Sequence, residues 1–368
     1  MITTLPISAC LIVKDEEMYI EQCIQSLKPV VNEIIVVDTG STDQTLAKLE
    51  QNSINVFHYE WNNSFSEARN YAISLASEPT ILVIDADETL DPSTVPSLNE
   101  YLSHSRNLPA SVNIVSKLDR YRNVNSRITR LFPNSEDYRY HGMIHEQLYY
   151  KGNSINEVKT TNVVLHHFGY DEAEVKKKQK INRNLELLEK QLKSEPESTY
   201  LRYQIGQTYY VGGHYHQAIE NFDEVLQLIS SQDTIPSFLP TVFLSYGYCL
   251  HNTSQYPILD RLLNDAFEFF PDYTDLYFLY GVSLIQRGNL KDIEVIKETF
   301  EHCIAMGEVT NPIYESVEGV GSYRSYYNLG VYYEATNQVE IAINCYNESA
   351  EMNFEPARIR VENIKKHR

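Results

Sequence analysis

The chain has 368 residues, too many for one ordinary hydrophobic core, and its 42% apolar content is that of a folded protein, so disorder is excluded and two domains are expected. A net charge of −19 excludes a bare nucleic-acid binder, which needs a basic face, but leaves room for a diphosphate bridged by a divalent cation. The cysteines (Cys10, Cys23, Cys249, Cys303, Cys345) lack paired spacing, and no apolar run approaches the roughly 20 residues of a membrane span, so a cytoplasmic protein with buried thiols and no integral membrane contact is expected.

In chain order, Ile7 to Val13 is a β-branched-rich strand that stops at Lys14-Asp15-Glu16-Glu17, followed by a helix over Met18 to Leu27. Glu33 to Val37 is a second strand, ended by Asp38-Thr39-Gly40-Ser41-Thr42-Asp43, a turn that caps a helix from Gln44 to Gln51. Asn55 to Tyr59 reads as a third strand, Phe65 to Ala76 as a helix, and Thr80 to Ile84 as a fourth strand running into Asp85-Ala86-Asp87-Glu88. Strands alternating with helices at this spacing predict crossover units and a mostly parallel sheet, and the continuous apolar runs predict that both faces are covered.

Residues 110–168 change character. Short strands (Ser111 to Ser116, Ile128 to Phe132, Asn162 to His167) sit among basic and aromatic residues and read as the acceptor side of the same domain, with antiparallel pairing left open. A polar helix from Glu172 to Leu192 leads to a seam at Ser194 to Ser198. Beyond it the pattern is helical and repetitive. Ile205-Gly206, Tyr209, Ala218 and Phe222 match a tetratricopeptide repeat, as do Leu329-Gly330, Tyr333, Ala342 and Tyr346. Two weaker units start at Tyr246-Gly247 and Tyr280-Gly281, the latter with a poorly matched second helix, and an insertion falls around Glu308 to Ser322. The expected organisation is residues 1–170, a connecting helix at 171–197, and four helical hairpins over 198–368.

The chemistry concentrates at strand ends. Asp85 and Asp87, two residues apart where a strand frays, can turn toward one hard cation, and the carboxyl edge of a parallel sheet is where ligands bind. Mg²⁺ or Mn²⁺ there would stabilise a leaving diphosphate. Asp15-Glu16 and Asp38 end the two preceding strands and suit base and ribose hydroxyls, while the scarcity of glycine argues against a Gly-rich phosphate cradle. His166-His167 follows a later strand and offers a third metal ligand or a buried structural ring, and Arg127 and Arg130 offer charge for a diphosphate or a solvated basic face.

The segments Leu11 to Glu16, Glu33 to Asp43, Glu67-Ala68-Arg69-Asn70 and Leu82 to Glu88, in this order, resemble family 2 glycosyltransferases of the GT-A fold over roughly residues 7–170. With the repeats attached, the whole resembles the bacterial repeat-bearing branch that includes the enzymes modifying glycocin bacteriocin precursors on Cys or Ser. The resemblance implies an α/β GT-A domain followed by an all-α tetratricopeptide-repeat domain, a UDP-sugar donor and inversion by direct displacement. It implies that Asp38 meets the uracil ring, Glu16 the uracil edge or ribose, Asp85 the ribose and Asp87 the metal, with Arg69 and Asn70 lining the donor pocket. Tyr140 to Glu146 resembles a segment of that branch, which makes Glu146 the candidate base and His145 a metal or phosphate contact, with Glu136 and Asp137 as rival bases. The expected metal set is Asp85, Asp87 and His167. A peptide acceptor held by the repeats is the expected partner, and a homodimer stays open. The alternatives are a transferase for cell-surface polysaccharide or lipid-linked glycan, and a non-catalytic interaction protein working through its repeats.

Overall fold

The computed structural model describes residues 4–117, 122–155, 157–168, 174–230 and 235–366. It divides into two compact units, residues 1–118 with 125–204, and residues 119–124 with 205–368. Helix 174–194, expected as a connector, groups with the first unit; its expected start at Glu172 lies outside the described residues.

The first unit opens with β1 (Leu5–Val13), α1 (Ile20–Leu27), β2 (Val31–Asp38), α2 (Thr45–Gln51), β3 (Val56–His58), α3 (Phe65–Ser74) and β4 (Thr80–Val83). Then come β5 (Glu88–Leu90), α4 (Val95–His104), β6 (Ala110–Lys117), β7 (Asn123–Pro133), β8 (Tyr138–His141), β9 (Gln147–Tyr150), β10 (Asn153–Ser154), β11 (Lys159–His167) and α5 (Glu174–Ser194). The main sheet runs in the order β3-β2-β1-β4-β7-β6-β11-β5, and β8, β9 and β10 form a separate antiparallel sheet. Strands β1 to β4 pair in parallel, as the crossover pattern required, with Leu11 opposite Val36 and Cys10 opposite Val83. Antiparallel pairing enters where β7 meets β4 and β5 meets β11.

Strand β1 shows why its run is apolar throughout. Ile7, Ala9, Leu11 and Val13 face one layer, where Ile20, Cys23, Ile24 and Leu27 of α1 pack on them, while Cys10 faces Ala72, Ile73 and Phe132 on the other side. A strand covered on both faces has no solvent side to carry polar residues.

Among the described residues, four helical hairpins follow: α6 (Thr199–Val211), whose residues to Gln204 group with the first unit, with α7 (Tyr215–Ile229), α8 (Leu239–Asn252) with α9 (Tyr256–Phe269), α10 (Thr274–Arg287) with α11 (Ile293–Met306), and α12 (Tyr323–Ala335) with α13 (Val339–Glu351). Helix α14 (Glu355–Lys366), which the repeat pattern did not reveal, follows the last of them. A Cβ on Gly206 would lie 2.7 Å from the ring of Phe222, and one on Gly330 would lie 2.5 Å from that of Tyr346. Gly281 faces Phe300 in the same way at 2.8 Å, so the third hairpin keeps the glycine-on-ring contact that its sequence obscured. Among the described residues no helix is long and apolar enough to cross a membrane.

Candidate active site at the carboxyl edge of the sheet

Helix α3 begins at Ser64, whose hydroxyl accepts the backbone N–H of Glu67 at 3.3 Å, a side-chain cap that sets where the helix starts. Three-residue and four-residue spacing then puts Arg69, Ala72 and Ile73 on the buried face. Arg69 is thereby aimed at the end of β4. Its Nη2 donates to Asp85 Oδ1 at 3.2 Å and its Nε to Glu146 Oε1 at 2.6 Å. Arg130 of β7 approaches Asp85 from the neighbouring strand and donates from Nη2 to Oδ2 at 2.6 Å, lying 3.7 Å from Glu88 Oε1.

Asp85 therefore stands between two buried guanidiniums. Burial alone would raise its pKa, but Arg130 and Arg69 outweigh this and hold it well below the usual carboxylate range. Glu88 goes the other way. Burial pushes its carboxyl up, Arg130 opposes this, and the nearby Asp85 charge adds to it. Glu88 also accepts the Asp85 backbone N–H at 2.9 Å, which closes the turn after β4. Reading the Asp-Ala-Asp-Glu motif by its aspartates alone missed Glu88; a carboxylate at the start of a strand in an apolar stretch was its only signal.

The expected metal set of Asp85, Asp87 and His167 does not converge. Asp87 Oδ2 lies 3.1 Å from His167 Nε2, and His167 Nδ1 lies 3.3 Å from Ser116 Oγ, but Asp85 is turned to the guanidiniums. Among the described residues no three His, Cys, Asp or Glu groups gather as a metal site. The reason is electrostatic: a carboxylate flanked by two fixed positive charges is poorly placed to take a cation as well. Asp87 and His167 remain as two adjacent donors, each partly open to solvent. Burial would depress the His167 imidazole, and the hydrogen bond and charge of Asp87 reverse this and raise it. His166, the rival ligand, turns to Asp91 at 3.0 Å.

Asp38 is buried and accepts the backbone N–H groups of Gly40 and Ser41, each at 3.0 Å, so its carboxylate shapes the turn at the end of β2. Asp15 takes a left-handed conformation (φ 55°) and accepts from Thr42 N at 2.7 Å, while the Glu16 backbone N–H donates to Thr45 Oγ1 at 2.8 Å. The ends of β1 and β2 are thus clasped together. Asn70 is engaged by β8: its Nδ2 donates to the Tyr140 carbonyl and its Oδ1 accepts the Tyr140 N–H, both at 2.9 Å. That is a strand-anchoring role, whereas a place in the donor pocket was expected.

His145 (φ 49°) is also left-handed, so Glu146 points inward to Arg69 while His145 lines a cleft of about 250 Å³ with Tyr149, Tyr200 and Gln191. Asp87 and His167 do not contribute to that cleft, which separates His145 from the expected metal contact. The Tyr200 hydroxyl donates to the His145 carbonyl at 3.0 Å. Of the rival bases, Asp137 pairs with Lys151 at 3.6 Å on the β8–β9 hairpin, and Glu136 precedes it in the turn leading to β8. Arg127 donates to the Thr161 carbonyl at 2.7 Å and acts as a strut between strands.

A mixed sheet of this order with carboxylates at its edge defines an α/β domain of Rossmann-like build. Residues 8–169 match the family described as glycosyl transferase family 2, and residues 323–356 match a tetratricopeptide repeat. The first domain is a family 2 glycosyl transferase domain of GT-A type, and the chain carries C-terminal tetratricopeptide repeats.

The chain is 32% identical over 207 residues to a TPR repeat-containing protein of Synechococcus elongatus, covering 54% of this chain and 51% of that one. It is 29% identical over 195 residues to the SPbeta prophage-derived glycosyltransferase SunS of Bacillus subtilis, covering 52% of this chain and 46% of that one. It is also 40% identical over 110 residues to the lipopolysaccharide core biosynthesis glycosyltransferase LpsC of Rhizobium meliloti, covering 28% of this chain and 40% of that one. The chain spans about half the length of the first two of these relatives.

Proposed function

We propose that this protein moves a hexose or N-acetylhexosamine from a UDP-sugar, with inversion, to a Cys or Ser/Thr side chain of a peptide held by its repeats. The observation that carries this reading is Arg69, which holds the strand-end carboxylate Asp85 and the carboxylate Glu146 on a single guanidinium. One rigid cation thereby fixes a donor-side group relative to a candidate base, and together with Arg130 it holds Asp85 ionised.

In the proposed reaction Glu146 takes the proton of the acceptor hydroxyl or thiol as its oxygen or sulfur bonds C1 of the sugar. The bond from C1 to the diphosphate breaks, and its electron pair leaves with UDP. Glu146 Oε2 accepts no hydrogen bond among the described residues, which leaves an oxygen for this task. A cysteine acceptor depends less on the base, since a thiol of pKa near 8.5 is partly ionised at neutral pH. Arg69 Nη1 and Arg130 Nε are buried donors with no acceptor among the described residues, a surplus of positive hydrogen-bonding capacity suited to an anionic donor. Glu16 and Asp38 would recognise the uridine. A Mg²⁺ or Mn²⁺ held by Asp87 and His167 would neutralise charge on the diphosphate.

The test is incubation with UDP-sugars and Cys- or Ser-bearing peptides, read by mass spectrometry. A gain of one hexose or N-acetylhexosamine is expected. Absence of any gain across donors and peptides, with the protein folded, would sink the reading. A second reading, transfer to a surface saccharide, draws on the likeness to LpsC; in the same assay it shows as donor-dependent modification of a saccharide and none of peptide.

A further inference from the structure

The insertion between α11 and α12 is an ordered loop with its own architecture. Its two ends meet at Gly307 and Gly321, where a Cβ on Gly321 would fall 1.9 Å from the Gly307 carbonyl oxygen. Glu308 closes the ring, accepting from Gly319 N at 3.1 Å and from Ser322 Oγ at 2.5 Å. A compact surface segment with touching ends is an Ω-loop, and such loops are frequently functional.

The middle of this loop is held as a peptide would be. Asp275, fully buried in the first turn of α10, accepts the backbone N–H of Val317 with Oδ1 and the hydroxyl of Ser316 with Oδ2, both at 2.8 Å. Tyr314 stacks on Tyr273 with ring centroids 4.3 Å apart and donates to Asp272 at 2.5 Å, while the Tyr273 hydroxyl donates to the Glu315 carbonyl. Helices α8 and α10, the first helices of successive hairpins, pack side by side, and the segment is held at the start of α10. Repeat arrays present such surfaces to extended peptides.

We propose that residues 312–318 are a built-in occupant of the peptide-binding face of the repeats, and that an external extended peptide with a hydroxyl residue must displace them to reach Asp275. The proposal concerns peptide binding alone and does not require sugar transfer, so a binding assay without donor separates its failure from that of the transferase reading.

The experiment uses the full chain and a fluorescein-labelled synthetic peptide of residues 311–321, followed by anisotropy. The wild type, its site filled, should bind this probe weakly. Tyr314→Ala with Ser316→Ala loosens the resident segment from its own side and leaves Asp275 intact, so the probe should bind at least about 10-fold tighter. Adding Asp275→Asn should cancel most of that gain. Ser316→Ala alone, which removes one hydrogen bond and leaves the packing intact, should give an intermediate gain and covers the case in which the double variant unfolds. Equal probe affinity in wild type and Ser316→Ala, or a gain that survives Asp275→Asn, overturns the proposal.

Discussion

Asp85 at the end of β4 and Arg130 in β7 are joined by a 2.6 Å hydrogen bond between two strands that pair antiparallel, so the first aspartate of the Asp-x-Asp motif is a partner of guanidinium groups. The register places Leu82 opposite Leu131, which brings Arg130 alongside the end of β4. The two aspartates of one motif thus divide their work: Asp85 faces the arginines, and Asp87 faces His167.

Replacing Asp85 with Asn should leave Arg69 and Arg130 buried with one counter-charge fewer. Each keeps a second carboxylate, Glu146 or Glu88, so the expected loss of stability is about 2 kcal/mol, the cost of a charged hydrogen bond, and not a complete failure to fold. Urea denaturation measures it, and an unchanged midpoint would show that the arginines do not depend on Asp85.

His167→Ala should separate the two halves of the motif. If Asp87 and His167 hold the cation, Mn²⁺-dependent UDP binding should weaken about 10-fold or more, while UDP binding without metal changes little. Titration calorimetry with and without Mn²⁺ reads both. Equal losses in the two conditions would assign His167 a purely structural part.

Glu146→Gln keeps a hydrogen-bond acceptor for Arg69 but cannot take a proton. Turnover on a serine peptide should fall about 100-fold or more with donor affinity little changed, and a cysteine peptide should suffer less. Comparing kcat and KM on the two peptides checks it.

Burial lifts Asp275 from 3.8 to about 7, so the folded protein keeps a proton that the unfolded chain releases. The unfolded state then binds fewer protons across this window, and stability from this group falls as pH rises from about 4 to about 7, by up to about 4 kcal/mol. Below about 4 and above about 7 its contribution is level. Asp275→Asn should flatten that part of the urea stability curve, and an unaltered slope would reject the assignment.

Gly330→Ala sets two effects against each other. Alanine gains about 1 kcal/mol of helix propensity, but its Cβ would meet the fully buried ring of Tyr346, and overpacking costs about 1 to 3 kcal/mol. A net loss is expected. At Gly247 the obstacle is a terminal methyl of Leu279, which can swing aside, so Gly247→Ala should cost less or stabilise. Thermal melts of the two variants rank them.

Much of the fold is local and therefore legible in residue order. The alternation of apolar runs and helical stretches announces β1 to β4 and their crossovers, because a strand covered on both faces must be apolar along its length. Glycine followed by aromatic spacing announces the first and last hairpins, while Phe300 in the third is recognisable only once it is seen against Gly281.

By itself, then, the sequence determined which chemical groups gather at the carboxyl edge, since each strand carries its own carboxylates to its own end. Which way those groups face was decided only by tertiary structure. Asp85 meets Arg69 from α3 and Arg130 from β7, 16 and 45 residues away, and Asp275 is filled by Ser316, 41 residues away. Such contacts depend on strand register and loop closure, which arise from packing between distant segments and leave no periodicity in the chain.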